Sequence, residues 1–259
     1  MTTLRVENLT VRFGGLAAVH DFSFETKENE ILSIIGPNGA GKTTLFNAIT
    51  GYIQPSEGNV SFGNRVLTDE AIHAISEIGV IRTFQKKSFF PHLTVVENVL
   101  LGEHMGIRPS LIDFIKPGNM KKKELSGLRR ALELLEFVGL SEKKDMMAAE
   151  LPYGEQRLLG ICIALAANPK ILLLDEPCAG SNPNECENMV GLIRKINADG
   201  VPIVLVEHHM RVVMGLSDRI IVLNSGEKMA EGTPAEITCN EDVICAYLGK
   251  SGENDARNG

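Results

Sequence analysis

The stretch that decides the fold is ILSIIGPNGAGKTTLFNAI, residues 31–49. The run ILSII (31–35) has the length and apolar character of a buried β-strand, and a glycine-rich loop (36–41) follows it directly. The sequence from Lys42 onward favours a helix. These residues therefore predict a strand, a tight loop and a helix in succession, with the loop at the edge of a sheet.

The loop matches the pattern G-x-x-x-x-G-K-[ST], which binds phosphate when it joins a strand to a helix. Its glycines let successive backbone N–H groups converge on phosphate oxygens, and the helix dipole adds positive potential. Lys42 is predicted to contact the β- and γ-phosphates, Thr43 to ligate Mg²⁺ and Thr44 to reach the α-phosphate. The residues predicted to bind a nucleotide here are Gly36, Pro37, Asn38, Gly39, Ala40, Gly41, Lys42, Thr43 and Thr44.

Two adjacent acids end a second apolar run, KILLLDE (170–176). Neighbouring carboxylates at the end of a buried strand are costly unless a cation lies beside them. Asp175 is predicted to hold Mg²⁺ directly or through water, and Glu176 to polarise an attacking water as general base. Hydrolysis of ATP or GTP follows as a hypothesis.

The remaining chain alternates short β-rich runs with helical lengths. These runs are 4–13, 22–26, 31–35, 59–62, 78–84, 170–176, 202–208 and 218–224. The early runs lie close together, which favours an antiparallel sheet, whereas the later ones resemble buried parallel strands. Residues 86–155 are interpreted as a helical insertion, because KKKELSGLRRALELLEFVGL (121–140) places leucines at helical spacing. We expect one domain over 3–249 and a flexible polar tail over 250–259.

Composition excludes several classes of protein. The 259 residues include 26 basic and 33 acidic ones, and the formal charge of −7 disfavours a generic nucleic-acid binder. The five cysteines show no CxxC spacing, so zinc is not expected. Apolar runs stay shorter than the roughly 18 residues of a membrane span, and the N-terminus lacks the features of a signal peptide. We expect a cytosolic protein with reduced thiols.

The stretch ELPYGEQRLLG (150–160), called the signature segment below, poses a question. A glycine followed by Glu155 and Gln156 suits a helix start whose N–H groups face an anion, yet no anion-binding partner is obvious nearby. In chain order, Gln85 in RTFQ, the signature segment, LLLDEP (172–177) and EHH (207–209) together resemble the ATP-binding-cassette (ABC) ATPases.

That resemblance implies an α/β fold: a P-loop NTPase core with a mainly parallel sheet, an N-terminal antiparallel β-subdomain and a helical subdomain. In ABC ATPases the signature segment faces the nucleotide of the other subunit in a head-to-tail dimer. The resemblance therefore implies that the helix beginning at Gly154 donates N–H groups to the partner's γ-phosphate.

The resemblance also assigns roles residue by residue. Phe13 would stack on adenine, Gln85 would contact Mg²⁺ and the attacking water, and His208 would bridge the γ-phosphate and Glu176. Without the resemblance, Phe13 would be interpreted as a residue of core or edge packing, and His208 as a histidine at the end of a strand. The catalytic set implied is Glu176, His208, Gln85 and Lys42; the metal set is Thr43, Gln85 and Asp175; the set for the partner's nucleotide is Tyr153, Gly154 and Glu155.

Two departures from the family pattern stand out. Pro152 occupies the position where a serine is usual, so a hydroxyl contact to the γ-phosphate is absent. Asn182 replaces the usual D-loop aspartate, which puts signalling across the dimer in doubt.

Longer phrases are similar to one branch, the ATPase subunits of branched-chain (hydrophobic) amino-acid importers. They include FGGLAAV (13–19), FPHLTVVENVLLG (90–102) and VLVEHHMRVVMGLSDRIIVLNSGEKMAEGTP (204–234). The branch implies ATP and Mg²⁺ as ligands, and a dimer of this chain or of this chain with a sibling cassette. It also implies integral-membrane permease subunits as partners, a substrate-binding protein as an indirect partner, and a cytoplasmic location on the inner face of the membrane.

Two alternatives stay open at this stage. One is an ABC ATPase for another cargo, such as lipopolysaccharide export or urea uptake. The other is a soluble ABC ATPase outside transport. In the transport case, Phe89 and Phe90 in SFFPH (88–92) are candidates for contact with the permease, with core packing as the alternative.

Overall fold

The computed structural model describes residues 3–83, 89–105 and 117–248. A first, antiparallel sheet has the strand order β2-β1-β4-β5. Its strands are β1 (Leu4–Phe13), β2 (Leu16–Glu25), β4 (Glu57–Phe62) and β5 (Arg65–Val66). In β1 the buried residues include Leu4 and Val6 and, after a shift in register with β2, Leu9 and Val11.

The second sheet has the order β10-β9-β3-β8-β7-β6. Its strands are β3 (Ile31–Ile35), β6 (Val80–Arg82), β7 (Ile171–Asp175), β8 (Ile203–Val206), β9 (Arg219–Asn224) and β10 (Glu227–Gly232). All neighbours are parallel except β9 and β10, which form an antiparallel hairpin. The predicted fold class, a mainly parallel α/β core with an N-terminal antiparallel sheet, is confirmed.

The central strands are buried on both faces. In β7, Leu172 and Leu174 belong to a core shared with helices, whereas Ile171 and Leu173 belong to a core shared with the antiparallel sheet. Successive side chains of a strand point to opposite faces, so a strand with two covered faces needs a continuous apolar run. The run KILLLDE meets this requirement, and it delivers Asp175 to the sheet edge.

Helices surround this sheet. They are α1 (Lys42–Ile49), α2 (Ile72–Ile78), α3 (Val95–Met105), α4 (Pro117–Val138), α5 (Tyr153–Ala166), α6 (Pro183–Ala198), α7 (Met210–Leu216), α8 (Pro234–Thr238) and α9 (Glu241–Leu248). Helices α3, α4 and α5 pack on one another. A Cβ at Gly102 of α3 would lie 2.6 Å from the Ile163 carbonyl oxygen of α5, so only glycine permits this approach. The predicted bounds 3–249 and 86–155 stay predictions, and the tail over 250–259 lies outside the described residues.

Some sequence expectations need correction. Helix α5 begins at Tyr153, one residue before the predicted start at Gly154. The leucines at helical spacing in α4 do not share one environment: Leu125 is 70% exposed, whereas Leu135 is buried beside Ala131. Strand β10 was not predicted, because its sequence EKMAEG lacks an apolar run.

Asn182 has a structural role at the start of α6. Its side chain accepts the Glu185 N–H at 3.0 Å, and the Glu185 carboxylate accepts the Asn182 N–H at 3.0 Å. This reciprocal pair is a capping box, which satisfies donors that the first helical turn leaves open. Asparagine and aspartate are equally good at such a position, so the replacement of the usual aspartate preserves the turn.

We expect Asn182→Ala to lower the free energy of unfolding by about 1 kcal/mol, because it removes the cap. Asn182→Asp should stay close to the parent protein. Asn184→Ala, at an exposed position of the same turn, is the matched control. Urea denaturation monitored by circular dichroism measures the difference, and equal losses in the two alanine variants would contradict a capping role.

Candidate active site

The loop 36–41 is held between two strands by very close backbone contacts. A Cβ at Gly36 would lie 2.0 Å from the Leu223 carbonyl oxygen at the end of β9. Gly41 has φ 109°, and a Cβ there would lie 2.4 Å from the Ala18 carbonyl oxygen of β2. Neither position accepts a side chain without movement of the backbone. The motif glycines are therefore required by packing as well as by loop shape.

Lys42 folds back over its own loop. Its Nζ donates to the carbonyl oxygens of Gly36 at 2.6 Å and Pro37 at 3.0 Å. Burial lowers the pKa of Lys42, and the nearby carboxylates of Glu176 and Asp175 oppose this shift by favouring the charged form. The ammonium group thus lies between the loop and the two acids that the sequence predicted to be its neighbours.

The other loop residues divide by exposure. Asn38, Gly39 and Thr43 are exposed, Pro37, Gly41 and Thr44 are half-buried, and Gly36 and Ala40 are buried. The open side of the loop therefore presents its middle and the first turn of α1 to solvent, where a ligand has access.

Phe13 lies at the tip of the hairpin between β1 and β2. It pairs with Leu16, and 53% of its surface is exposed. The hairpin reaches the loop through Ala18, whose carbonyl faces Gly41. The ring of Phe13 is thus exposed at the tip of the hairpin that contacts the loop, and its stacking on adenine stays a prediction.

Asp175 ends β7 and forms a buried ion pair that the sequence analysis missed. Arg82, at the end of the neighbouring strand β6, donates from Nη2 to Asp175 Oδ2 at 2.7 Å. The same guanidinium donates to Asn47 Oδ1 at 2.7 Å and lies 5.4 Å from the ring centroid of Phe46. Arg82 therefore ties α1, which begins at Lys42, to the carboxylate of Asp175. The sequence offered one signal for this pair: Arg82 is a charged residue within the predicted strand 78–84.

Glu176 adopts an unusual backbone conformation for a non-glycine residue, with φ 49°. Its N–H donates to the Val206 carbonyl oxygen at 2.8 Å. The Glu176 carboxylate lies 3.8 Å from Nδ1 of His208, and both side chains reach solvent. This separation exceeds a hydrogen bond, so the two groups face a common space without being bonded to each other.

A second missed residue is Glu207, which is fully buried. Its carboxylate accepts the N–H groups of Cys178 at 2.9 Å and His208 at 2.8 Å. It thereby fixes the turn after Glu176 relative to His208. The signal in the sequence was an acid at the end of the apolar strand before the histidine.

The start of α5 lies on the surface of the single chain. Tyr153 is 56% exposed, and Gly154 and Glu155 are half-buried. Lys143 Nζ lies 2.5 Å from both carboxylate oxygens of Glu155, which compensates the negative charge of that residue. Among the described residues, no hydrogen bond or ion pair joins 153–155 to the loop 36–41. The structure thus assembles Lys42, Asp175, Glu176 and His208, and no such contact links residues 153–155 to the loop 36–41 within the part of the chain that the structure describes.

Two further predictions concern the segment after β6. Gln85 lies outside the described residues, so its predicted contacts with Mg²⁺ and water stay predictions. Phe89 packs against the core shared with the helices, whereas Phe90 is 61% exposed. Of the two candidate contacts for a partner, only Phe90 is presented on the surface.

The family profile described as "ABC transporter" matches residues 19–179, which contain the loop, the signature segment and both acids. The chain belongs to the ABC transporter family. A second profile, "Branched-chain amino acid ATP-binding cassette transporter", matches residues 227–253 of the cassette.

Three relatives place the cassette more closely. It is 44% identical to the high-affinity branched-chain amino acid transport ATP-binding protein LivG of Salmonella typhimurium, over 96% of this chain and 98% of that protein. A nucleotide-free ATP-binding cassette from an ABC transporter gives a TM-score of 0.83 at 33% identity, with coverage of 95% and 99%. A dimeric, post-hydrolysis cassette bound to ADP and Pi gives a TM-score of 0.76 at 29% sequence identity, over 89% of this chain and 98% of that chain. The sequence-based identification of an ABC transporter ATP-binding subunit with the ATPase fold is confirmed.

We expect Lys42→Ala to weaken binding of ATP by about 100-fold, because it removes a charge-assisted contact to phosphate. Titration with a fluorescent ATP analogue measures the affinity. Lys144→Ala, which removes an exposed lysine, is the control and should bind as the parent cassette does. An unchanged affinity of the Lys42 variant would mean that the loop does not bind phosphate.

Proposed function

We propose that this cassette is the ATP-hydrolysing subunit of an importer of branched-chain or other hydrophobic amino acids. The observation that carries the proposal is the cluster of Lys42, Asp175, Glu176 and His208 at the carboxyl edge of the parallel sheet. The cargo assignment rests on the similarity to LivG and on the C-terminal match at 227–253.

Binding of the triphosphate would exchange hydrogen bonds at the loop. Lys42 would leave the carbonyl oxygens of Gly36 and Pro37 and donate to the β- and γ-phosphates. Backbone N–H groups of the loop, which Gly39 and Gly41 allow to converge, would take further oxygens, and Thr44 would reach the α-phosphate. Phe13 would support the adenine.

The residues beside the loop suit Mg²⁺. The Thr43 hydroxyl is exposed and Asp175 supplies a carboxylate, and hard oxygen donors of this kind are those that Mg²⁺ prefers. Arg82 orients this carboxylate through its contact to Oδ2. Thr43 and Asp175 would therefore hold the ion, with Gln85 as a further candidate. When bound, Mg²⁺ neutralises charge on the phosphates.

Glu176 and His208 are the residues we assign to the chemical step. Glu176 would accept a proton from a water whose oxygen attacks the γ-phosphorus, while the bond to the bridging oxygen breaks and ADP leaves. His208 would orient the γ-phosphate and the water from the other side. Their 3.8 Å separation and shared access to solvent support this arrangement.

The nucleotide would be completed by Tyr153, Gly154 and Glu155 of a second cassette, either another copy or a sibling. The exposed start of α5 supports this, as does the dimeric state of the related cassette with ADP and Pi. Pro152 contributes no hydroxyl, so the backbone N–H groups of α5 would make the contact.

The permease would dock on the groove between α2, β6, α3 and α5, which is lined mostly by apolar side chains such as Ile72 and Ile163. Phe90 would extend this surface. Within the described residues, no helix has the length and apolarity needed to cross a bilayer. The similarity to LivG supports a peripheral position of the cassette on the cytoplasmic face of the membrane. A substrate-binding protein would act on the cassette only through the permease.

Glu176→Gln should arrest the cassette as an ATP-bound dimer, because the general base is lost while the contacts to the nucleotide remain. Size-exclusion chromatography with light scattering measures the mass with and without ATP. The double variant Glu176→Gln/Lys42→Ala should stay monomeric. A sibling cassette is added if the homodimer does not form, and a monomer under both conditions contradicts the shared-nucleotide arrangement.

The cargo is tested by purification of the tagged cassette from native membranes. We expect a permease to accompany it, and we expect leucine with the cognate binding protein to stimulate ATPase activity in proteoliposomes. Stimulation by urea or by a lipid cargo instead would contradict the assignment while leaving the ATPase role intact.

A further inference from the structure

Arg157 of α5 reaches the backbone of the residue to which we assign proton transfer. Its Nη1 donates to the carbonyl oxygen of Glu176 at 2.5 Å. The same carbonyl also accepts the N–H of Ala179 at 3.2 Å, in the turn that follows β7. A side chain of α5, called the signature helix here because it begins in the signature segment, therefore binds directly to the loop that carries the proposed general base.

The other half of the guanidinium is engaged at the start of α5. Nη2 donates to the Tyr153 hydroxyl at 2.9 Å, and the guanidinium carbon lies 4.9 Å from the centroid of the Tyr153 ring. Nε is buried, and no hydrogen-bond partner for it exists among the described residues. An unsatisfied buried donor destabilises this arrangement. The contacts of Nη1 and Nη2 therefore hold the side chain in place.

The position of Arg157 matters because Glu176 is strained. A non-glycine residue at φ 49° persists only where its surroundings fix it, and such residues concentrate at active sites. The N–H of Glu176 is fixed by Val206 of the neighbouring strand, and its carbonyl by Ala179 and Arg157. Of these contacts, only the one from Arg157 comes from the signature helix.

We propose that Arg157 is a positioning residue that couples the two halves of the nucleotide site carried by one chain. It binds the backbone of Glu176, which we assign to hydrolysis of this chain's own nucleotide. It also binds Tyr153, which we assign to the partner's nucleotide. When the partner's γ-phosphate binds at the start of α5, the contact between Arg157 and Tyr153 changes. Arg157 then shifts the backbone of Glu176 and thereby the orientation of the Glu176 carboxylate. This inference rests on the proposed function, and it makes hydrolysis at one site depend on occupancy of the other.

A purely structural clamp gives different observables. A clamp would lower stability and leave the turnover of folded protein unchanged. A positioning residue lowers kcat, leaves the KM for ATP unchanged and abolishes cooperativity between sites, because binding of ATP does not use Arg157.

The experiment compares steady-state ATPase activity of the full chain as parent, Arg157→Ala, Arg157→Lys and Arg130→Ala. Arg130 is the matched control, because it donates to Asn168 Oδ1 at 3.2 Å just beyond the far end of α5. We expect Arg157→Ala to lose about 100-fold in kcat, since misplacing a catalytic group by about 1 Å has that effect. Its KM should stay within about twofold, and its Hill coefficient should fall to about 1. Arg157→Lys, with a single ammonium in place of the fork, should be intermediate.

Two further readouts make the outcome decisive. In the Glu176→Gln background, Arg157→Ala should still yield the ATP-bound dimer, since the backbone donors of α5 remain. Hydrogen exchange of the nucleotide-free chain should be faster at residues 177–181 in Arg157→Ala, with β7 unchanged. Parental turnover and cooperativity in Arg157→Ala overturn the inference, and so does loss of the dimer or an unchanged exchange rate.

Failure of the proposed function has a separate signature. In that case the parent and the Arg130 variant hydrolyse no ATP, and Glu176→Gln forms no dimer with or without a sibling. The hydrogen-exchange rate of residues 177–181 in Arg157→Ala is then the deciding measurement. Faster exchange than in the parent supports the link between Arg157 and Glu176, and an unchanged rate overturns it.

Discussion

The structure depends on the parallel register of four central strands. Ile34 of β3 pairs with Val206 of β8, and Asp175 of β7 pairs with the same Val206 from the other side. Because parallel strands end at one edge, this register brings the loop after β3, the acids after β7 and the histidine after β8 to the same place. Residues far apart in the chain thus become neighbours through the pairing of backbone strands.

The same edge collects charge, and the protein compensates each buried charge locally. Asp175 is paired with Arg82, the carboxylate of Glu207 is saturated by backbone N–H groups, and the ammonium group of Lys42 is covered by loop carbonyls. An uncompensated charge in such a position would cost several kcal/mol. Asp175, Glu207 and Lys42 thus each have local partners, and a ligand at the loop would replace the contacts of Lys42.

The sequence predicted those parts of the fold and site that depend on local pattern. The phosphate loop was predictable because its glycines are required by backbone contacts, and Asp175 because it ends an apolar run between two covered faces. Arg82, Arg157 and Glu207 were missed because their roles depend on partners that only the packed sheet supplies. The exposure of Leu125 was not predictable, because helical spacing gives a stripe but not the direction from which the core approaches. Strand β10 was missed because its hairpin to β9 needs no apolar run.

The fold-back of Lys42 onto the carbonyl oxygens of Gly36 and Pro37 has a consequence for selectivity. A small monovalent anion such as chloride could attract the ammonium group, but it would break two short hydrogen bonds and offer one weak acceptor in return. A triphosphate offers several oxygens that engage the ammonium group and the loop amides together. Displacement of Lys42 from these two carbonyls therefore favours a polyanion, which can replace both hydrogen bonds, over a monovalent anion.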